Sequence, residues 1–208
     1  GKVITNLYYE NRQWVKLEGI SRNMVRAVLA AEDADFYEHR GVKLTAILRA
    51  FIKDVTHQAT RQGGSTITQQ LARNLFLTRE RTLARKVKEA VLAVRMEKTF
   101  PKDQILEMYL NTIYFGHGTY GIEAASQTYF GKSPALLDLA EASVIAGLIA
   151  APEYYTPIRH MDRAKVRQGY VLGQMVSKGW ISREEGQKAL DQKLSLKKVR
   201  KSSVTFSD

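Results

Sequence analysis

Two glutamates, a hydroxyl- and amide-rich segment between them, and a run of cations carry the chemistry this chain could perform. Glu32 follows the helix-like stretch 21–31, where Met24, Val25, Val28 and Leu29 form one apolar stripe at helical spacing. Extending the wheel puts Glu32 in the middle of that stripe. A carboxylate there loses hydration, which raises its pKa and suits it to proton transfer. The same periodicity allows the helix to stop at Ala31 and turn Glu32 outward. Glu89 lies in the run Arg85-Lys86-Val87-Lys88-Glu89. The wheel there buries Leu83, Val87, Ala90, Val91 and Val94, and projects Glu89 and Arg85 from the other side with Leu92 and Met96. An ordinary Arg85–Glu89 pair one turn apart also accounts for that spacing. Gly63-Gly64-Ser65-Thr66-Ile67-Thr68-Gln69-Gln70 sets two glycines, three hydroxyls and two amides against the start of a helix-like stretch. Such a run caps a helix, or binds a sugar or phosphate at its N-terminus. Between Arg73 and Lys102, nine Lys/Arg stand against three Glu. That concentration suits an anionic ligand and equally a solvated helix face.

Other chemistries lack their residues. The four histidines, at 39, 57, 117 and 160, have no metal-ligand spacing. The absence of cysteine excludes a thiol nucleophile, thiolate metal sites and a disulfide scaffold. Neither a Gly-x-Ser-x-Gly elbow nor the Gly-Lys-Ser/Thr element of a P-loop occurs.

The elements that must hold these residues read as helices from Ser21 almost to the end. The pattern predicts helices over 21–31, 44–58, 65–77, 81–98, 102–113, 120–129, 138–150, 160–178 and 182–191. Ser21 is a cap candidate, and Ser182 with Glu185 forms a capping box. Pro101 suits a first turn, and Gly179 a helix stop. Val3 to Leu17 alternates around Glu10-Asn11 and predicts a short β-hairpin or extended arm. The tail 193–208 is basic, then Ser-rich, and is expected to fray.

At 208 residues, 44% hydrophobic and 25% charged, the chain can bury a sizeable core. We read it as a single domain over 1–208. The net charge of +11 points to an anionic partner: nucleic acid, phospholipid or a phosphorylated substrate. The longest apolar stretch, near 142–152, is far shorter than the ~20 residues of a membrane span. The N-terminus lacks the features of a signal peptide and begins abruptly, so a preceding segment is expected.

Four segments taken together resemble a known family. EDADFYEHRG (32–41), GGSTITQQLARNLFL (63–77), RKVKEAVLAVRMEK (85–98) and ILEMYLNTIYFGHGTYGIEAASQTYFGK (105–132) closely resemble the peptidoglycan glycosyltransferase domain. This is glycosyltransferase family 51, found in bifunctional penicillin-binding proteins and monofunctional transglycosylases. The motifs stand in the family's order and cover about half the chain, and APEYYTP (151–157) and RQGYVLGQM (167–175) also fit.

The resemblance implies a mainly α fold: a lysozyme-like globular lobe, and a smaller membrane-associated jaw lobe over about 42–80. It implies polymerisation of lipid II onto a growing lipid-linked glycan, with inversion at MurNAc C1 and release of undecaprenyl pyrophosphate. Glu32 matches the family's general base and Glu89 its second essential glutamate, which orients cations or holds a divalent ion (Mg or Mn). Ser65, Thr66, Gln69, Gln70 and Asn74 match the motif lining the cleft. Arg73, Arg81, Arg85, Lys88 and Arg167 are the candidates for the pyrophosphate, with Arg73 standing where many relatives carry Lys. Asp33, Phe36 and His39 are expected to shape the first motif. The resemblance also implies moenomycin sensitivity, other cell-wall synthesis proteins as partners, and the outer face of the bacterial cytoplasmic membrane, with an anchor outside this chain. Nucleic acid is not expected as a partner. The rival readings are a lysozyme-like hydrolase, which needs no pyrophosphate clamp, and a basic helical module binding nucleic acid or membrane.

Overall fold

The computed structural model describes residues 13–43, 64–77 and 82–197. These residues form α1 (Arg22–Glu32), α2 (Ile67–Phe76), α3 (Leu83–Thr99), α4 (Lys102–Thr112), α5 (Ile122–Tyr129), α6 (Leu139–Leu148), α7 (Pro152–Tyr155), α8 (Met161–Ser177) and α9 (Arg183–Asp191). Among the described residues no strand occurs; Tyr114 and Tyr120 form one isolated antiparallel bridge. The predicted helix 44–58 and most of the jaw segment 42–80 lie outside the described residues.

The helix ends follow the local code. Ser21 accepts a hydrogen bond from the Met24 N–H, and Thr66, Asp138 and Ser182 each build a capping box. Pro101 falls one residue outside α4, as its N-cap. At Gly179, φ is +67°. The Trp180 N–H reaches Met175 O and the Gly179 N–H reaches Val176 O, a Schellman stop.

α6 is the centre. Its residues Ala140 to Leu148 are all buried, as expected of a helix apolar on every side. α1 and α8 pack on it and on each other, α9 packs on α8, and α2 packs on α3 and α4. One hydrophobic cluster runs through α1, α2, α4, α5, α6 and α8.

α3 reverses the predicted orientation. Leu83, Val87 and Val91 are 88%, 64% and 47% exposed, while Glu89, Ala93 and Met96 are buried. Hydrophobic count favoured the β-branched face, but close approach decided otherwise. The loop after α1 lies directly on Ala93 through Gly41, whose φ is +89°. A Cβ at Gly41 would stand 2.8 Å from the Ala93 backbone, so only glycine fits there.

Of the β-hairpin or extended arm predicted over 3–17, residues 14–17 form a docked arm. The Trp14 indole and the Leu17 N–H donate to Glu107, and the Val15 N–H donates to Asn111, all on α4. The rest of the predicted hairpin, 3–12, lies outside the described residues. The first part of the tail does not fray: Leu194 and Leu196 pack on the core, and the Lys197 N–H donates to Tyr129 O. Residues 198–208 are outside the described part.

Candidate active site

Glu32 is the last residue of α1, so the helix does not stop short of it. Its side chain is 12% exposed. Burial raises its pKa; a hydrogen bond from Gln70 and the charges of Arg167 and Arg73 pull it partly back, and Asp33 adds to the rise. Gln70 Nε2 donates to Glu32 Oε2 at 2.9 Å, and the Tyr109 hydroxyl donates to Gln70 Oε1 at 3.0 Å. Arg167 Nη2 stands 4.0 Å from Glu32 Oε1. The guanidinium lies 4.3 Å from the Tyr170 ring centroid, which orients it. Its stem crosses Gly147 of α6, where a Cβ would come within 3.0 Å of Arg167 Cγ.

Asp33 anchors the neighbouring loop. Burial alone would raise its pKa. Hydrogen bonds from His39, Lys43 and the Ile67 N–H outweigh that and hold the carboxyl below the ordinary Asp range. Asp33 Oδ2 lies 2.9 Å from His39 Nε2 and 3.0 Å from Ile67 N at the start of α2. The Gly41 N–H donates to His39 Nδ1, so the imidazole proton sits on Nε2, facing Asp33. Phe36 is fully buried beside this group. Asp33, Phe36 and His39 therefore shape the motif, in line with the sequence reading.

Glu89 is fully buried on α3 with both oxygens paired. Oε1 bonds Arg85 Nη1, and Oε2 bonds Lys86 Nζ at 2.7 Å. Lys86 also donates to Ser65 Oγ at 2.6 Å. The plain Arg–Glu pair and the buried functional glutamate are thus one arrangement. A carboxylate committed to two cations does not suit a divalent ion. Among the described residues no three acidic or histidine side chains gather to hold one.

α2 joins the two carboxylates: Ser65, just before it, reaches the Glu89 group, and Gln70 reaches Glu32. Thr66 and Gln69 build the N-terminal cap of α2. Thr66 Oγ1 accepts the Gln69 N–H and donates to Gly41 O, and Gln69 Oε1 accepts the Thr66 N–H. The cap uses Gln69 Oε1 and leaves its amide nitrogen to other partners. Asn74 is exposed on α2. Lys88 lies away from Glu89, lining an outer groove with Leu77, Val87, Val91, Leu92 and Arg95. Helix geometry causes this, since positions one apart diverge by ~100°. Arg81 lies outside the described residues. Lys86 and Tyr109 were not singled out as site residues. The wheel that groups Arg85 with Glu89 also brings Lys86 to it at i,i+3, a signal available in the sequence. Tyr109 is brought in only by the packing of α4 on α2.

A buried carboxylate with a raised pKa and a second one clamped by cations are thus linked through one helix, α2, and Ser65 just before it. The transglycosylase family model matches residues 1–176. Penicillin-binding protein 1A of Aquifex aeolicus is 47% identical over 210 residues, covering 100% of this chain and 28% of that protein. Penicillin-binding protein 1F of Bacillus subtilis is 42% identical over 208 residues, covering 100% of this chain and 29% of that one. The crystal structure of penicillin-binding protein 1A from Haemophilus influenzae superposes with a TM-score of 0.55 at 27% identity, covering 90% of this chain and 18% of that one. The chain spans less than a third of the length of these relatives. It belongs to the transglycosylase family, glycosyltransferase family 51, and its helical build matches a lysozyme-like transglycosylase domain. It is a peptidoglycan glycosyltransferase domain.

Proposed function

We propose that this chain polymerises lipid II, with Glu32 as the general base. The GlcNAc 4-hydroxyl of the acceptor gives its proton to the Glu32 carboxylate as its oxygen bonds C1 of the donor MurNAc. The bond from C1 to the pyrophosphate breaks, undecaprenyl pyrophosphate leaves, and one displacement inverts α to β-1,4. An alcohol needs such a base at neutral pH. The observation that carries this reading is the Glu32 environment: a carboxylate buried enough to raise its pKa, held at one oxygen by Gln70 and flanked by Arg167.

Negative charge grows on the leaving pyrophosphate, and preorganised cations lower that barrier. Arg85 and Lys86, fixed by Glu89, fit that task, and Arg73 and Arg167 lie on the Glu32 side. Glu89 acts by orienting cations. Among the described residues, Arg85 Nε and Arg167 Nε are buried without hydrogen-bond partners, so the remaining donors of both guanidinium groups are the ones available to an anion. Arg81, Asn74, Ser65, Thr66 and Gln69 are further proposed substrate contacts of the same site, and Lys88 a proposed contact in the outer groove. The domain spans 1–208, its jaw segment 42–80 rests on the membrane, and it works on the outer face of the cytoplasmic membrane beside other cell-wall synthesis proteins.

Glycan synthesis from labelled lipid II in detergent tests the reading. Glu32→Gln should fold and lose about 10²- to 10⁴-fold in kcat, the usual contribution of a general base. A folded Glu32→Gln variant that polymerises at the parent rate would remove Glu32 from that role.

A further inference from the structure

Behind the Glu32 site lies a second carboxylate that the reaction does not use. Glu97 of α3 is 6% exposed at its side chain. Its Oε1 accepts from Thr68 Oγ1 at 2.5 Å and from Lys102 Nζ at 2.9 Å, and its Oε2 lies 2.8 Å from Lys102 Nζ. His39 Nδ1 stands 4.0 Å away. The Lys102 ammonium sits 4.3 Å from the Phe36 ring centroid. One buried carboxylate therefore ties together α2, α3, the start of α4 and the loop that follows Glu32.

Gln70, the hydrogen-bond donor to Glu32, depends on two of these elements. Thr68 and Gln70 are two positions apart on α2, so they project about 200° apart. A pin on Thr68 from one side sets the roll of the helix that presents Gln70 on the other. A roll of about 10° moves a side-chain tip ~5 Å from the axis by about 1 Å, enough to break the contact with Glu32. The other end of the Gln70 amide is held by Tyr109, on the helix whose first residue is Lys102. The Thr68 support of Gln70 thus runs directly to Glu97, and the Tyr109 support stands on the helix that begins at Lys102, the other partner of Glu97. Thr66 and Ile67 fix the start of α2 against Gly41 O and Asp33, whereas the Thr68 contact is a short, charge-assisted bond off the helix axis.

We propose that Glu97, acting through Thr68, is a positioning residue that aligns Gln70 on Glu32. This rests on Glu32 being the base. Glu32 is faced by Gln70 and Arg73 from α2, by Arg167 from α8 and by its neighbour Asp33, with Tyr109 of α4 behind Gln70. All of these remain in a Thr68→Val variant, so a change in the titration of Glu32 reports the alignment of Gln70. Losing the Gln70 bond removes a group that favours the carboxylate, so the acid limb of the kcat–pH profile moves to higher pH.

The test is lipid II polymerisation from about pH 5 to 9, with kcat and KM resolved and thermal melts alongside. Thr68→Val should lower kcat at neutral pH about 10- to 100-fold. KM should stay within about twofold, and the acid limb should shift upward. Thr68→Ser, which keeps the hydroxyl, should restore the parent profile. Glu97→Gln should shift the limb in the same direction, and it carries the test if Thr68→Val fails to fold. Adding Thr68→Val to Gln70→Ala should cost little beyond Gln70→Ala alone. An unmoved acid limb, or Thr68→Ser as impaired as Thr68→Val, overturns the proposal. Glu32→Gln in the same series separates the two readings. If it is inactive while Thr68→Val is normal, only the role of Glu97 falls; if it is active, the base assignment falls and the positioning role with it.

Discussion

Glu32 is costly to the fold in its working state. Its folded pKa is raised above the ordinary Glu value. A carboxyl raised in this way contributes stability below its unfolded pKa and loses it as pH rises through the folded pKa. At neutral pH the parent has given up that contribution, while Glu32→Gln carries no such charge. The variant should melt higher than the parent near pH 7.5, by about 2–4 °C for each kcal/mol recovered. The gap should narrow on acidification toward pH 4. A variant less stable than the parent near pH 7.5 would contradict this. Asp33 has the opposite sign: its folded pKa is lowered, so its stabilisation is present above the unfolded pKa and lost as pH falls through the folded one. Removing a buried, paired carboxylate typically costs about 3–5 kcal/mol. Denaturant unfolding of Asp33→Ala at pH 7 should show a loss of that order. Adjacent residues thus take opposite roles, because one has a single hydrogen-bond donor on its carboxylate and the other has three partners.

At the scale of the element, α3 carries the sharpest consequence. Its exposed stripe should tolerate charge. Val87→Lys and Val91→Lys should change stability by less than about 0.5 kcal/mol. Ala93→Leu should cost about 1–3 kcal/mol or more, because Ala93 is fully buried and a larger side chain must displace its neighbours. Chemical denaturation of the three variants checks the orientation; losses on the Val87 and Val91 side instead would reverse it. α2 shows why one helix serves both carboxylates. Its cap uses Thr66 and Gln69, which frees Ser65 and Gln70, on either side of that cap, for Lys86 and Glu32.

At the scale of the whole molecule, a net charge of +11 attracts anionic ligands at long range, the proposed lipid-linked substrate among them. Screening shortens that range from about 10 Å at 0.1 M salt to ~3 Å at 1 M. The polymerisation rate at sub-saturating lipid II should therefore fall as salt rises. The rate at saturation should change much less, since the Arg85–Glu89 pair is largely buried and poorly screened. Equal loss in both regimes would argue against electrostatic capture.

The sequence by itself determined the helical fold and most of the helix limits, because these rest on local rules. Ser21, Ser182 and Gly179 act within one turn of themselves, whereas the stripe of α1 left Glu32 two placements, and the folded helix, which runs through Glu32, chose the inward one. The motif order also sufficed to mark the family. Tertiary structure alone decided which face of α3 is buried. Both faces carry apolar residues, and the choice came from the contact between Gly41 and Ala93, about fifty positions apart. Tertiary structure alone brought Tyr109 behind Gln70, Lys86 to Ser65 and Arg167 beside Glu32. Periodicity tells which residues share a face, but only packing tells what that face meets.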